Sequence, residues 1–445
     1  MNYLELTNIV LGIFSTLITL LTAHFIIFSV VGIFAKKTYP KAKTKHKYGI
    51  IIPARNEELV VGNLIKSVYK NNYPQDKLHV FVIAHNCNDK TAEISRELGA
   101  TVYEYNNKNE CTMGYAFKYL FEQIKKDYGT ENYDGFFLFN ADNILDENYF
   151  DKMNDAFDAE NCENVITSFR NSKNFGSNVI SGMYGMFFMT GCRLESRGRT
   201  VCGCSTRVQG TGYVINSKIV ENGWNYVTLT EDWEFTADQI IQGNKIKFCD
   251  DAVFYDEQPT TTKIMFRQRA RWAKGHLLVC LTKTKQLLKN LFSRNKKGQK
   301  KINRFSTYDI FVNCLPIGVI TTALFAINVI MVLLAPIFGV HISYWLEWLK
   351  QLGISLLVSY AMLYASGILI FILERKRIKD VSLFKKIIMS FVWPIFMFLS
   401  IPIEIFALFS KNIGWKAIPH KDTTTFEKIN NKNTVVSELI DIEEE

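Results

Sequence analysis

The amino-acid sequence predicts an α/β fold: a doubly wound, mostly parallel sheet inserted between transmembrane helices. Three observations predict it. From residue 48 to about 258, short apolar runs alternate with stretches of helical spacing, the β-α-β-α order of a parallel sheet. Uncharged runs long enough to cross a bilayer flank that region on both sides. Polar clusters fall at the carboxyl ends of the expected strands, where such sheets bind ligands.

Taken in order, residues 9–35 carry no formal charge and show no small-residue cleavage site, so they read as a retained anchor rather than a signal peptide. Residues 48–52 form an apolar strand ending at Pro53, and 63–70 a helix stopped by Asn71-Asn72-Tyr73-Pro74. Strands follow at 78–84, 101–105 and 135–139, with helices at 91–98 and 114–127. A helix is expected at 234–242. The pattern through 272–292, leucines broken up by lysines, suits a helix lying in the membrane interface. Further uncharged runs cover 310–346, 352–373 and 387–410, the last made irregular by Pro394, Pro402 and Glu404.

The formal charge of +9 is clustered. Lys36, Lys37, Lys41, Lys43, Lys45 and Lys47 follow the first run. Lys296, Lys297, Lys300, Lys301 and Arg304 precede the second, and Glu374-Arg375-Lys376-Arg377 follows the third. The positive-inside rule places all three clusters in the cytoplasm, the N-terminus outside and the turn at 341–350 outside. Topology and anionic lipid account for the basic excess, so no nucleic-acid partner is needed. The nine cysteines fit no disulfide framework, and Cys202-Gly203-Cys204 is too close for a usual zinc pair. The tail 421–445 is polar, ends in Glu443-Glu444-Glu445 and is expected to be mobile.

Six clusters carry chemistry. Ala54-Arg55-Asn56-Glu57, His85-Asn86-Cys87-Asn88-Asp89 and Asn140-Ala141-Asp142-Asn143 sit at strand ends. Asp142 can hold a hard divalent cation against a diphosphate, or can simply belong to a polar turn. Thr230-Glu231-Asp232-Trp233 offers two adjacent carboxylates, either a general base or the acidic first turn of a capped helix. Gln209-Gly210-Thr211-Gly212 is a small-residue turn that allows close approach of a ligand or of backbone. Phe266-Arg267-Gln268-Arg269-Ala270-Arg271-Trp272 combines guanidinium forks suited to phosphate with a flat indole face suited to a sugar ring; lipid headgroups are the other reading of its arginines. The acids of Tyr255-Asp256-Glu257-Gln258-Pro259 read as solvated.

In this order, ahead of membrane segments, the clusters resemble the processive family-two glycosyltransferases, which include cellulose synthase, β-glucan synthases and hyaluronan synthase. The resemblance covers roughly residues 48–410, and its most specific elements are Thr230-Glu231-Asp232 and Gln268-x-x-Arg271-Trp272. It implies a type A nucleotide-sugar transferase fold. It also implies inverting transfer from a UDP-sugar, UDP-glucose foremost, to a growing glycan, with Mg2+ or Mn2+ as cofactor. Asp232 is then the base beside Thr230 and Glu231, and Asp142 the metal ligand. Ala54, Arg55, Asn56, Glu57, His85, Asn86, Asp89, Gln268 and Arg271 bind the donor; Trp272, Gly210, Thr211 and Gly212 meet the acceptor.

Three positions depart from the family pattern: Asn140 replaces the first acid of the metal motif, His85 stands where an Asp usually meets the base, and Met113 replaces the Lys of a Lys-Gly pair. Trp415, Ile418, Pro419 and His420 read as a C-terminal element facing the active site. Three full crossings after the transferase region would leave that element outside, so 387–410 reads as interfacial or re-entrant.

The expected organisation is an anchor at 1–35, a cytoplasmic transferase at 48–260, interface helices at 261–305, a membrane channel region at 306–410 and a terminal segment at 411–445. The expected location is the plasma membrane, in contact with the lipid bilayer. Completion of the channel is left open between a homo-oligomer and an accessory subunit. The short chain after 420 predicts no appended cyclic-dinucleotide module. The rival functions are a single sugar addition to a lipid or lipid-linked acceptor, and an inactive transferase-like scaffold.

Overall fold

The computed structural model describes residues 3–293, 300–337, 339, 341–379, 381–411 and 413–430, with side chains from residue 9 onward. Lys296, Lys297 and the tail from 431 to Glu443-Glu444-Glu445 lie outside the described residues.

The chain enters as helix α1 (Tyr3–Phe34) and reaches strand β1 (Tyr48–Ala54). Helix α2 (Val61–Tyr69), β2 (Leu78–His85), α3 (Thr91–Glu97), β3 (Thr101–Tyr105), α4 (Met113–Asp127) and β4 (Gly135–Leu138) follow, each within a few residues of its expected position. Helix α2 forms because Val61, Leu64, Ile65 and Val68 recur at helical spacing, and all four are buried. Strand β1 is buried on both faces, as a central parallel strand must be. It runs on through Pro53 to Ala54. Pairing with β4 stops at Ile51↔Leu138, so the missing Pro53 N–H leaves no ladder bond broken on that side.

The rest of the sheet was not anticipated: β5 (Ile144–Leu145), α5 (Tyr149–Ala159), β6 (Val165–Ser172), then a helical stretch of α6 (Val179–Thr190) and α7 (Arg197–Val201) joined by a π-helical turn, and β7 (Tyr213–Asn216). Helix α8 (Glu231–Ile241) precedes β8 (Ile246–Asp256). The eight strands are ordered β3-β2-β1-β4-β7-β6-β8-β5. β1 pairs in parallel with β2 and β4, β2 with β3, and β6 with β8; β4–β7, β6–β7 and β5–β8 are antiparallel. Apolar cores cover both faces: Leu64, Ile65, Phe150 and Phe157 on one, Phe117, Leu120, Phe121 and Trp224 on the other. The sheet is therefore doubly wound. Each of these fully buried side chains contributes roughly 1.5–3 kcal/mol of transfer free energy.

Beyond the sheet lie α9 (Thr262–Phe292), α10 (Arg304–Cys314), α11 (Ile317–Leu334), α12 (Ile342–Leu373), α13 (Leu383–Phe398) and α14 (Ser400–Phe409). Segments Ile9–Phe34, Ile317–Leu334, Ile342–Leu373 and Leu383–Phe409 are long and apolar enough to cross a membrane. Two expectations change here. The run 310–346 is not one segment: Pro316 cannot continue α10, and the chain restarts as α11. The stretch 272–292 is the second half of α9, and it does not lie free in the interface. Val279, Cys280 and Leu287 are buried with Ile240, Ile241 and Ile310, and of its large apolar side chains Leu281, Leu288 and Phe292 stay exposed. Both ends of segment 383–409 reach the sheet domain: Lys385 Nζ donates to the Gly176 carbonyl at 3.1 Å, and residues 415–430 return to the strand ends.

A buried ionic cluster ties the anchor to the domain. His24 of α1 lies 3.0 Å from Asp309 of α10, and Arg199 of α7 donates to Asp309 at 2.7 Å. All three are buried, so the Arg199 and Asp309 charges need each other.

Candidate active site

The parallel register brings the ends of β1, β2 and β4 together. At β1, Asn56 adopts a left-handed φ of 57°, and its side chain accepts from the Asn88 N–H at 2.8 Å. Asn86 is also left-handed, with φ 55°. Asp89 accepts from Thr91 at the start of α3 and from the Glu58 N–H at 3.1 Å, so the first two loops are locked to each other. The Cys87 thiol lies 3.4 Å from the Ala54 carbonyl. Nη1 of Arg55 is buried with no hydrogen-bond partner among the described residues, and its guanidinium lies 4.9 Å over the Trp415 ring. His85 is 3% exposed; its Nε2 donates to the Glu110 carbonyl at 2.7 Å and its ring stacks on Tyr105. Its edge is thus partly committed to its own chain.

Past β4, Asp142 is 3% exposed and accepts from the Glu257 N–H at 2.7 Å. Its other oxygen receives only the Asn143 amide, at 3.3 Å. Asn140 Oδ1 is buried without a partner among the described residues. An under-used carboxylate oxygen and an orphaned amide oxygen on one turn are the hard donors that Mg2+ or Mn2+ prefers, so this turn fits such an ion. Asp256, read from the sequence as solvated, is buried and pairs with Arg170 Nε at 2.8 Å, because β8 ends under this turn. Burial, opposed by Arg170 and reinforced by Asp142, pushes Asp256 up to about 6.

The Gly210-Thr211-Gly212 turn joins this shelf to the acid pair. Thr211 Oγ1 accepts from the Asn140 N–H at 2.9 Å and contacts Asn143. A Cβ at Gly210 would lie 3.5 Å from Asp232 Oδ2, and one at Gly212, which has φ 69°, would overlap the Phe254 ring. Both acids lie in the first turn of α8, which starts three residues earlier than the helix expected at 234–242. Thr230 is the N-cap residue, as the cap reading has it, but its hydroxyl makes no cap bond. Instead it packs where only Gly275 leaves room. Burial, and then the adjacent Asp232, push Glu231 up to about 8. Asp232 is raised too, by burial, against the Trp233 N–H and Arg271.

The arginines of α9 split by helical phase. Arg271 Nη1 donates to the Leu229 carbonyl at 2.5 Å and faces Glu231 and Asp232. Gln268, one turn earlier on that face, leaves Oε1 buried without a partner among the described residues. Trp272 is half-buried, edge-on to Tyr184 and Phe188 of α6. Arg267 donates to the Ala417 carbonyl at 3.2 Å. Arg269 is structural: it donates to the Phe396 carbonyl at 2.9 Å and to Ser400, where α13 meets α14. Neither Arg267 nor Arg269 meets the acid pair.

The C-terminal segment, expected to face the active site, reaches the same strand ends. His420 Nδ1 lies 2.9 Å from Glu57, and the Lys421 and Asp422 N–H groups donate to Glu257 at 2.9 and 2.8 Å. Burial disfavours the His420 imidazolium, but Asp142, Glu57 and Glu257 outweigh it and lift the group to about 9. The only sequence signal was the Trp, Pro and His content of 415–420.

The model of the family described as Glycosyltransferase like family 2 matches residues 46–275, which hold the whole sheet, both acids and Gln268 to Trp272. The probable glycosyltransferase YdaM of Bacillus subtilis (strain 168) is 25% identical over 383 residues, covering 83% of this chain and 86% of that protein. The 4,4'-diaponeurosporenoate glycosyltransferase of Staphylococcus aureus (strain USA300) is 42% identical over 95 residues, 18% of this chain and 24% of that protein. Among solved structures, the mannosyltransferase PcManGT from Pyrobaculum calidifontis, in complex with GDP-Man and Mn2+, aligns with 86% of this chain and 98% of its own at 12% identity and a TM-score of 0.44. The matched segment spans more than half the sequence, and this chain belongs to the glycosyltransferase like family 2.

Proposed function

We propose that this chain is a membrane-embedded, processive β-glycan synthase that transfers sugar, glucose foremost, from a UDP-sugar with inversion and passes the polymer through its own channel. The observation that supports this most is the assembly of Asp232, Arg271 and the Gly210–Gly212 turn against the Asp142 strand end. The acceptor hydroxyl gives its proton to Asp232 as its oxygen attacks the anomeric carbon. The bond from that carbon to the diphosphate breaks, and the electron pair leaves on the nucleoside diphosphate. Arg55, with its unpaired Nη1, and Arg271 face the developing negative charge. Asp142 and Asn140 would hold a divalent cation, which supplies Lewis-acid charge to the leaving phosphate. Half-buried Trp272 offers its face to the acceptor sugar while the donor site reloads.

A second reading, one sugar added to a lipid acceptor, is favoured by one feature. A largely apolar cavity lined by Phe25, Ala273, Leu277 and Val319, with His276, Asn313 and Glu404 as its polar wall, lies between α1, α9, α10, α11 and α14; His276 stacks on Trp233. The test incubates membranes containing the protein with UDP-glucose, other UDP-sugars and Mg2+ or Mn2+, and measures UDP release and product length. Polymer supports the synthase; one added sugar supports the lipid reading. UDP release with neither product overturns both.

A further inference from the structure

At the opposite end of the strands from the acid pair, three metal-ligating side chains of different kinds converge. His46 precedes β1, Asp158 lies in the last turn of α5, and Cys162 follows that helix. His46 Nε2 lies 2.8 Å from Asp158 Oδ1 and 3.3 Å from Cys162 Sγ, and the three donor atoms lie within 4.8 Å of one another. We propose that His46, Asp158 and Cys162 form a zinc-class cation site that clips the linker from the membrane anchor to the end of α5.

The donor set is a nitrogen, a thiolate sulfur and a carboxylate oxygen, the chemistry of Zn2+. Tetrahedral zinc would set N and O about 3.4 Å apart and N and S about 3.5 Å apart. From 2.8 and 3.3 Å, the first pair needs to open by about 0.6 Å and the second by about 0.2 Å. The imidazole is already fixed. Its ring packs edge-on against Phe157, and the His46 backbone is held at both ends: the backbone N–H donates to Asn154 Oδ1 at 3.1 Å, and the backbone carbonyl accepts from the Tyr73 hydroxyl at 2.8 Å. Nδ1 lies 3.6 Å from Asp134 Oδ2, and Asp134 in turn accepts from the Lys47 N–H at 2.8 Å. A carboxylate behind the second ring nitrogen is how proteins orient and strengthen a metal-bound His.

The cysteine is placed at a conformational cost. Asn161 and Cys162 are consecutive non-glycine residues with left-handed φ values of 57° and 54°, held by the Cys162 N–H to the Phe157 carbonyl at 2.9 Å and by the Asn216 amide on the Cys162 carbonyl. A redox or nucleophilic role does not explain this. The two hydrogen bonds instead hold Sγ beside the His46 ring, where a metal ligand would stand. Asp158 is about one-third exposed, which leaves a fourth position for water.

The active-site turn of Asp142 and Asn140 offers oxygen only, so the two sites differ spectroscopically. The full-length protein in detergent, stripped with chelator, is titrated with Co2+ and read by its sulfur-to-cobalt charge-transfer absorption. About one equivalent should bind with that band, and Zn2+ should displace it. Cys162→Ser should abolish the band, and His46→Ala and Asp158→Asn should weaken Co2+ binding at least tenfold. Asp142→Asn and the paired Cys202→Ser, Cys204→Ser change should leave the band intact. A wild-type protein without the band, or a band that survives Cys162→Ser, overturns the site. The wild-type titration decides even if Cys162→Ser does not fold.

Discussion

His420 and Glu57, 363 residues apart in sequence, meet at 2.9 Å over the strand ends. The contact places the segment after the last apolar helix across the shelf formed by Arg55, Asp142 and Glu257. Trp415 lies on Arg55, and Arg267 of α9 holds the Ala417 carbonyl. The first strand-end loop, the motif helix and the C-terminal segment are thus one mechanical unit.

Removing this contact should loosen the segment. A hydrogen bond to a charged group is worth about 1.5–3 kcal/mol, so His420→Ala should speed amide exchange at Lys421 and Asp422 roughly ten- to a hundredfold. Hydrogen exchange read by mass spectrometry checks this, with α2 as an internal control that stays protected. Unchanged exchange would mean that Glu257 alone holds the segment.

Asp232→Asn keeps the shape of the side chain but removes the proton acceptor. Turnover should fall by about 10²–10⁴, the usual worth of a general base, while UDP binding by calorimetry stays within a few-fold. A variant that still elongates would move the base to Glu231.

Arg271 opposes the upward shift of both acids. A base must be ionised to act, so activity falls as pH drops through the raised value of Asp232. The acid limb of kcat/KM in the native enzyme should therefore lie above the ordinary carboxylate range. In Arg271→Gln the limb should move to higher pH, and kcat should drop by about 10² through lost charge stabilisation. A pH–rate profile of UDP release measures both effects.

Glu231 holds its proton more tightly folded, with a value pushed up to about 8, than unfolded. Folded stability should then decline as pH rises from the normal carboxylate value toward 8, because ionising this buried group costs free energy. Glu231→Gln removes the titration, so its Tm should change less between pH 5.5 and 8 than that of the native protein. Scanning fluorimetry in detergent provides the comparison, and equal slopes would contradict the buried-acid geometry.

The first half of the sheet was readable because β1, β2 and β4 are largely apolar runs that end in polar loops. Ile50, Ile51 and Ile52 need no distant partner to announce a central strand. Strand β6 has no such signature. Ser168, Arg170, Asn171 and Ser172 are buried because other parts of the chain satisfy them: Arg170 reaches Asp256, and Ser168 donates to the Gly212 carbonyl. Strand β8 is equally opaque, since its register shifts where Phe169 pairs with Val253 rather than continuing from Cys249. Pattern reading scores local hydrophobicity and is blind to such long-range satisfaction.

The same division runs through the candidate site. By itself the sequence determined the strand-end loops, the adjacent acids Glu231 and Asp232, and the shared face of Gln268, Arg271 and Trp272, because helical periodicity makes residues three and four apart neighbours. Only the tertiary structure decided which arginine meets the acids and which one ties α13 to α14. It alone decided that Asp256 is buried, that Thr211 bridges the two halves of the site, and that His420 returns to Glu57. Those are contacts between segments tens to hundreds of residues apart, and burial and electrostatics at such contacts come from the assembled fold, not from neighbours in the chain.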